Sequence, residues 1–159
     1  MDGEANSYGG SRVSGPPNLS AGLDAPIEHA VIATKFIISG TLDKYPKLEI
    51  VLPHAGGAFP YLAGRVEHFM YHMGGGGQVT LAHPFKEYLR RFHYDYLTYH
   101  PEGLLFLISL VGSDRILVGT DSFNAKDIEY PSAVVEQFNF PALDRDRILK
   151  GNATRLFHL

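Results

Sequence analysis

The chain has 159 residues, of which 45% are hydrophobic and 19% charged, so its length and composition suit one packed domain. The formal net charge is −3 and Lys and Arg are not clustered, which argues against nucleic acids and membranes as partners. There are no cysteines for disulfides or thiolate metal sites, no apolar run near the roughly 20 residues of a membrane span, and no visible signal peptide, so we expect a cytoplasmic protein.

The amino-terminal part of the sequence predicts a loop followed by a helix. Residues 1–24 are rich in Gly, Ser, Pro and Asn, which predicts a flexible lead or a long loop. Apolar residues then recur at the helical period over Ala25–Ser39, with Asp24 as N-cap and Pro26 in the first turn. Gly40 suits the left-handed position just after a helix. We therefore expect the folded domain to span residues 25–159.

Three strands are predicted further along the chain. Leu48–Leu52 is a short apolar run, typical of a strand buried on both faces of a parallel sheet. Phe92–Leu97 alternates aromatic or apolar residues with polar ones, and Arg115–Asp121 has a continuous apolar centre.

Helices are predicted between and after these strands. Their expected bounds are Phe59–Met73, His83–Arg91, Glu102–Val111, Pro131–Phe138 and Asp144–Lys150. Gly74–Gly77 is expected to be a loop, Gly151 to stop a helix, and Asn152 to cap a last one that ends at His158. Alternating helices and strands indicate an α/β fold with parallel strands and right-handed crossovers.

One histidine and one aspartate follow the ends of two predicted strands. His54 comes directly after the first strand, and Asp121 ends the third. Because the carboxyl ends of parallel strands share one edge, where α/β folds keep their chemistry, we expect the two side chains to meet. Taken singly, His54 could instead be a structural histidine and Asp121 a cap. Taken together, they favour acid/base chemistry, with Asp121 also a candidate metal ligand.

Other polar residues are given structural interpretations. His68 and His72 have the i, i+4 spacing of zinc ligands, but the surrounding residues lack the H-E-x-x-H order, so a solvated helix face is favoured. His93 and Asp95 lie on a predicted strand, where structural roles are favoured.

Three separated segments resemble a known family, in the family's order. These are Ser39–His68, Arg90–Phe123 and Asp146–Leu159, and they resemble the carboxyl-terminal part of the amidohydrolase-2 branch of the amidohydrolase superfamily. Its members include aminocarboxymuconate-semialdehyde decarboxylase and the resorcylate-type aromatic decarboxylases. The resemblance implies a partial (β/α)8 TIM barrel, about its last three βα units, with a divalent metal, zinc or manganese, at the strand ends.

The resemblance also implies roles for three residues. His54 matches the sixth-strand histidine that acts as acid/base or orients the reacting group, and Asp121 matches the eighth-strand aspartate that ligates the metal. Arg65 matches an arginine that reaches the substrate carboxylate of a neighbouring subunit, which implies a homodimer. A plain surface position on a helix is the alternative for Arg65.

The sequence departs from the family pattern at the metal ligands. None of its eight histidines forms a His-x-His pair, residues 1–24 contain no histidine, and Tyr99–Pro101 replaces the family's His-Asp-Pro. A catalytic zinc takes three protein ligands, and here only Asp121 and the neighbouring His54 are evident. We therefore expect this chain, as a truncated family member, to bind catalytic metal poorly and to be weakly active or inactive alone.

The implied function is that of the family's carboxy-lyase lineage, with a small aromatic or enoic carboxylate as substrate. Two alternatives stay open: a metal-dependent hydrolase of a lactone, ester or amide, and a non-enzymatic remnant that pairs with a full-length subunit.

Overall fold

The structure is a computed structural model that describes residues 19–72, 80–121 and 131–159. These residues contain one sheet of three parallel strands, arranged across the sheet in chain order. The strands are β1 (Ile50–Leu52), β2 (Phe92–Asp95) and β3 (Ile116–Leu117). The parallel strands, with helices between them, confirm the predicted α/β fold.

The register of the sheet explains why β3 is shorter than predicted. Ile50 lies opposite Phe92 at one end of the sheet, and Leu117 lies opposite Asp95 at the other. Because β2 ends at Asp95, β3 has no neighbouring strand to pair with beyond Leu117. Residues 118–121 of the predicted third strand have no regular secondary structure, and Asp121 has φ 47°.

The first helix, α1, spans Leu19–Ile38 and therefore begins earlier than the predicted start at Ala25. Residues 19–24 are helical and are not part of a loop, whereas residues 1–18 lie outside the described residues. Pro26 is inside the helix, where it has no N–H to donate to the carbonyl of Gly22 four residues earlier. Asp24 is buried within the helix, so it does not cap its start as predicted.

The other helices follow the predicted order, except that the short helix α2 was not predicted. Their bounds are α2 (Thr41–Lys44), α3 (Phe59–His72), α4 (Phe85–Tyr88), α5 (Pro101–Val111), α6 (Pro131–Glu136), α7 (Ala142–Asp146) and α8 (Asn152–Phe157). Gly40 has φ 70°, as predicted for a residue that closes a helix. The predicted glycine loop at 74–77 falls outside the described residues. Within the part of the chain that the structure describes, no helix is both long and apolar enough to cross a bilayer.

The carboxyl-terminal helices correct two predictions. Gly151 has helical dihedrals and does not end a helix, because a π-helical turn over Arg147–Gly151 joins α7 to α8. Asn152 is buried and caps nothing. Its Nδ2 donates hydrogen bonds of 2.8 Å to the carbonyls of Ser113 and Ile116, so it ties α8 to β3.

The hydrophobic core lies between the sheet and the helices. Its largest fully buried side chains are mostly aromatic: Tyr88, Tyr94, Phe59, Phe85 and Phe92. His93 and Asp95, on the opposite face of β2, are buried as well. The alternation in β2 therefore separates an apolar buried face from a polar buried face, and it does not mark a face open to solvent.

Candidate functional site

The structure brings His54 and Asp121 together at the carboxyl edge of the sheet. The His54 Nε2 lies 3.5 Å from the Asp121 Oδ2, and about a quarter of each side chain is exposed (25% and 22%). The expected meeting of these two residues is thus observed. Their chemical roles stay predictions.

The backbone at His54 forms a tight left-handed turn. His54 and Ala55 have φ values of 53° and 54°, and Gly56 and Gly57 continue with φ 75° and 60°. For residues with a side chain, this conformation costs about 1–2 kcal/mol each. The turn lifts the His54 side chain away from the strand direction and towards the chain that follows β3.

Asp95 stabilises this turn from the neighbouring strand. Its carboxylate accepts hydrogen bonds from the backbone N–H groups of His54 (2.9 Å), Ala55 (2.7 Å) and Leu97 (3.1 Å). Hydrogen bonds to a buried carboxylate are stronger than neutral ones and offset the strain of the turn. This is a structural role, as predicted, but one that places His54.

Gly57 allows α1 to approach the turn. A Cβ at Gly57 would clash with the carbonyl oxygen of Pro26, and the Ala58 N–H donates a 3.1 Å hydrogen bond to that same oxygen. No residue other than glycine fits this approach. The contact places the helix turn after Pro26, which carries His29, beside His54.

His29 is the site residue that the sequence analysis missed. Its ring centroid lies 5.1 Å from that of His54, with the ring planes 31° apart. Burial lowers the pKa of His29, the nearby His54 lowers it further, and the carboxylates of Asp95 and Glu28 oppose the shift. A histidine on the apolar face of the helix before the His54 strand was the available signal.

A cavity of about 580 Å³ opens beside the pair. Its lining includes His54, Asp121, Thr98 and Tyr99. Burial, followed by the negative charges of Asp121 and Asp95, raises the pKa of Tyr99, so its hydroxyl stays protonated and can donate a hydrogen bond. The cavity thus combines an imidazole, a carboxylate and a phenol on one rim.

Other polar residues singled out in the sequence do not line this cavity. Arg65 is exposed on α3, with its guanidinium 4.6 Å from the centre of the Phe69 ring, and it does not line the cavity. His68 is exposed on the same helix and packs its ring edge against Phe69. The side chain of His72 lies outside the described part of the chain. His100 is exposed at the start of α5.

The described donors do not fit a complete metal centre. Within residues 19–72, 80–121 and 131–159, no group of three His, Cys, Asp or Glu side chains is placed to hold a metal ion. A catalytic zinc takes three such ligands. Asp121 and His54 would supply two donors at most.

Comparison with known proteins gives the same family from sequence and from structure. The profile of the family described as Amidohydrolase matches residues 24–159. The chain is 29% identical over 136 residues to 2-amino-3-carboxymuconate-6-semialdehyde decarboxylase of Dictyostelium discoideum, covering 84% of this chain and 38% of that protein. It is 33% identical over 138 residues to gamma-resorcylate decarboxylase of a Polaromonas strain, covering 83% and 41%.

A solved structure agrees with these relatives. The dihydroxybenzoic acid decarboxylase of Polaromonas, with bound manganese and the inhibitor 2-nitroresorcinol, superposes with a TM-score of 0.73 at 27% identity, covering 92% of this chain and 48% of that one. The three parallel βα units thus correspond to part of the (β/α)8 barrel that the resemblance implies. The chain spans about 38–41% of the length of the two decarboxylases matched in sequence. With its family profile, its relatives and its fold in agreement, this chain belongs to the amidohydrolase family.

Proposed function

We propose that His54 and Asp121 form the proton-handling part of a carboxy-lyase site that acts on a small aromatic or enoic carboxylate. The observation that carries the proposal is the 3.5 Å approach of His54 Nε2 to Asp121 Oδ2 on the rim of the cavity. The family's decarboxylases among the relatives support this lineage.

The proposed reaction is a non-oxidative decarboxylation. The bond between the substrate's carbon skeleton and its carboxylate breaks, carbon dioxide leaves, and the electron pair stays on the carbon, which takes up one proton. His54 is the proposed donor of that proton, because its imidazole lies on the rim of the cavity with its Nε2 3.5 Å from the Asp121 carboxylate. The Tyr99 hydroxyl lines the same cavity, and we propose that it donates a hydrogen bond to the bound substrate.

We assign no step to a metal, because the described donors do not complete a metal centre. We propose instead that this chain alone binds divalent metal poorly, since the described residues offer only two of the usual three ligands. Arg65 stays a proposed contact to the substrate of a neighbouring subunit in a homodimer.

The test is carbon dioxide release by the purified 159-residue protein, with and without added manganese or zinc. The substrates are 2,6-dihydroxybenzoate and 2-amino-3-carboxymuconate semialdehyde. We expect slow release that depends on His54, so His54→Gln and Asp121→Asn abolish it, whereas Glu136→Gln, on the exposed surface of α6, leaves it unchanged. Release that persists in His54→Gln contradicts the proposal.

One alternative is favoured by a specific observation. The incomplete donor set fits a non-enzymatic role in which the chain pairs with a full-length subunit. Absence of turnover at saturating metal, together with a stable complex formed on mixing with a full-length decarboxylase relative, supports this alternative. Hydrolysis of a lactone or ester without carbon dioxide release would instead identify a hydrolase.

A further inference from the structure

Among the described residues, no hydrogen bond accounts for the orientation of the His54 ring. A working imidazole is normally fixed by a hydrogen bond through its second nitrogen. In His54 that atom, Nδ1, is buried and has no hydrogen-bond partner in the part of the chain that the structure describes. Nε2 faces Asp121 at 3.5 Å, a distance longer than a normal hydrogen bond. Within the described residues, the ring is therefore oriented by packing.

His29 supplies that packing. Its ring lies against the His54 ring at a centroid distance of 5.1 Å and a tilt of 31°, within the range of offset aromatic pairs. The Nδ1 of His29 is also buried without a hydrogen-bond partner among the described residues. The contact between the two residues is therefore made by the flat rings and does not depend on a hydrogen bond through either Nδ1.

The position of His29 is itself fixed by the backbone. The Ala58 N–H donates to the Pro26 carbonyl, and the missing side chain of Gly57 lets α1 lie directly against the turn. His29 lies one helical turn after Pro26. The close approach of α1 to the turn therefore also brings the His29 ring against the His54 ring. Two rigid elements, α1 and the left-handed turn, thus hold the ring pair from both sides.

We propose that His29 is a positioning residue whose ring packs against His54 and holds the His54 Nε2 towards Asp121. The catalytic use of this orientation rests on the proposed function, whereas the packing does not. A displacement of about 1 Å at a reacting group can lower a rate on the order of 100-fold, so a ring that only orients another ring can still control turnover.

The test uses three variants of the full 159-residue chain. His29→Ala removes the ring, His29→Phe keeps a flat ring without nitrogens, and Ile32→Ala is a control on the exposed side of the same helix. The first readout is the proton–nitrogen NMR correlation of the His54 ring, with its nuclear Overhauser contacts to the residues that line the cavity. We expect His29→Ala to lose the single ring orientation and His29→Phe and Ile32→Ala to keep it.

The second readout is turnover of 2,6-dihydroxybenzoate, where the wild-type protein shows it. We expect His29→Ala to lower kcat by about 10- to 100-fold with KM changed less than about threefold, and His29→Phe to stay within about threefold of the wild type. Should His29→Ala not fold, His29→Leu fills the space without a flat ring and is expected to behave like the alanine variant.

Two results would overturn the inference: an unchanged His54 ring signature in His29→Ala, or a loss in His29→Phe as large as in His29→Ala. The NMR readout needs no turnover. A wild-type protein that releases no carbon dioxide therefore contradicts the proposed function alone, and the ring signatures still decide the role of His29.

Discussion

The carboxylate of Asp95 accepts a hydrogen bond of 2.9 Å from the backbone N–H of His54, across the carboxyl ends of two neighbouring strands. The same carboxylate bonds to the next N–H along the turn, and both of these residues have positive φ. A buried carboxylate on β2 therefore stabilises the turn that presents the imidazole at the end of β1.

Replacing this carboxylate tests how much the turn depends on it. We expect Asp95→Asn to lower the free energy of unfolding by about 1–3 kcal/mol, because the amide cannot accept all three N–H donors with its single oxygen. Urea unfolding followed by circular dichroism measures the change. The matched control is Asp114→Asn on the surface, which loses an ion pair with Arg90 and should cost less than about 1 kcal/mol. Equal losses in the two variants would contradict a special role for Asp95.

Replacing either of two glycines by alanine tests the backbone, because the two substitutions should change the stability of the protein in opposite directions. Gly57→Ala should destabilise the protein by more than about 2 kcal/mol, because the new Cβ meets the Pro26 carbonyl at a φ that disfavours side chains. Gly64→Ala should stabilise it by about 0.5–1 kcal/mol, because Gly64 is helical, exposed and has nothing within 4 Å of the added Cβ. Thermal and urea unfolding measure both, and a tolerated Gly57→Ala would disprove the close approach of α1.

The fully buried His93 predicts a dependence of stability on pH. Burial lowers its pKa, Arg115 lowers it further, and the Glu49 carboxylate, 2.8 Å from its Nε2, opposes the shift. In the unfolded chain the imidazole of His93 has its ordinary pKa of about 6.5. The unfolded chain therefore binds a proton at His93 more tightly than the folded protein does. The stability that neutral His93 contributes is therefore present above about pH 6.5 and is lost as the pH falls from there towards the lowered pKa.

Unfolding free energies at pH 7.5, 6.5 and 5.5 check this dependence. We expect a decrease towards pH 5.5, and a smaller decrease in His93→Gln, because the new glutamine side chain does not titrate in this range. His29, whose pKa is also lowered, contributes in the same direction and accounts for part of the remaining slope. An identical slope in His93→Gln would show that His93 is not the group responsible.

Replacing Asn152 should destabilise the carboxyl-terminal end of the fold. Asn152→Ala removes two buried hydrogen bonds and leaves the carbonyls of Ser113 and Ile116 without that donor, so we expect a cost of about 1–3 kcal/mol. The control is Asn139→Ala at an exposed position, which should change stability by less than about 0.5 kcal/mol. If Asn152 acted only as a helix cap, replacement by serine would restore most of the loss; we expect that it does not.

The parts of the fold that follow one local pattern were predictable from the sequence. The apolar run before His54 and the helical period after Phe59 both gave elements close to the observed β1 and α3. The meeting of His54 with Asp121 also followed, because parallel strands place their carboxyl ends on one edge. Each of these inferences needs only the chain direction and a short-range period.

The features of the fold and of the site that were not predicted from the sequence depend on contacts between distant segments. The start of α1 was hidden by a glycine- and serine-containing stretch before Pro26, and Gly151 was expected to end a helix although its dihedrals are helical. The sequence places His29 on the helix before the His54 strand but does not show how close the two rings lie, since their proximity arises from the approach of α1 to Gly57. Helix propensity and residue spacing describe one segment of the chain at a time, so they do not predict that α1 packs against the turn at Gly57.

The hydrogen bonds from His54 and Ala55 to Asp95 join residues 41 and 40 positions apart in the chain. The hydrogen bonds that hold the left-handed turn therefore exist only while β1 and β2 are paired. Amide hydrogens of His54 and Ala55 should then exchange with solvent only when that strand pair opens. A small molecule that binds in the cavity would, for the same reason, protect the sheet against opening as well as filling the site.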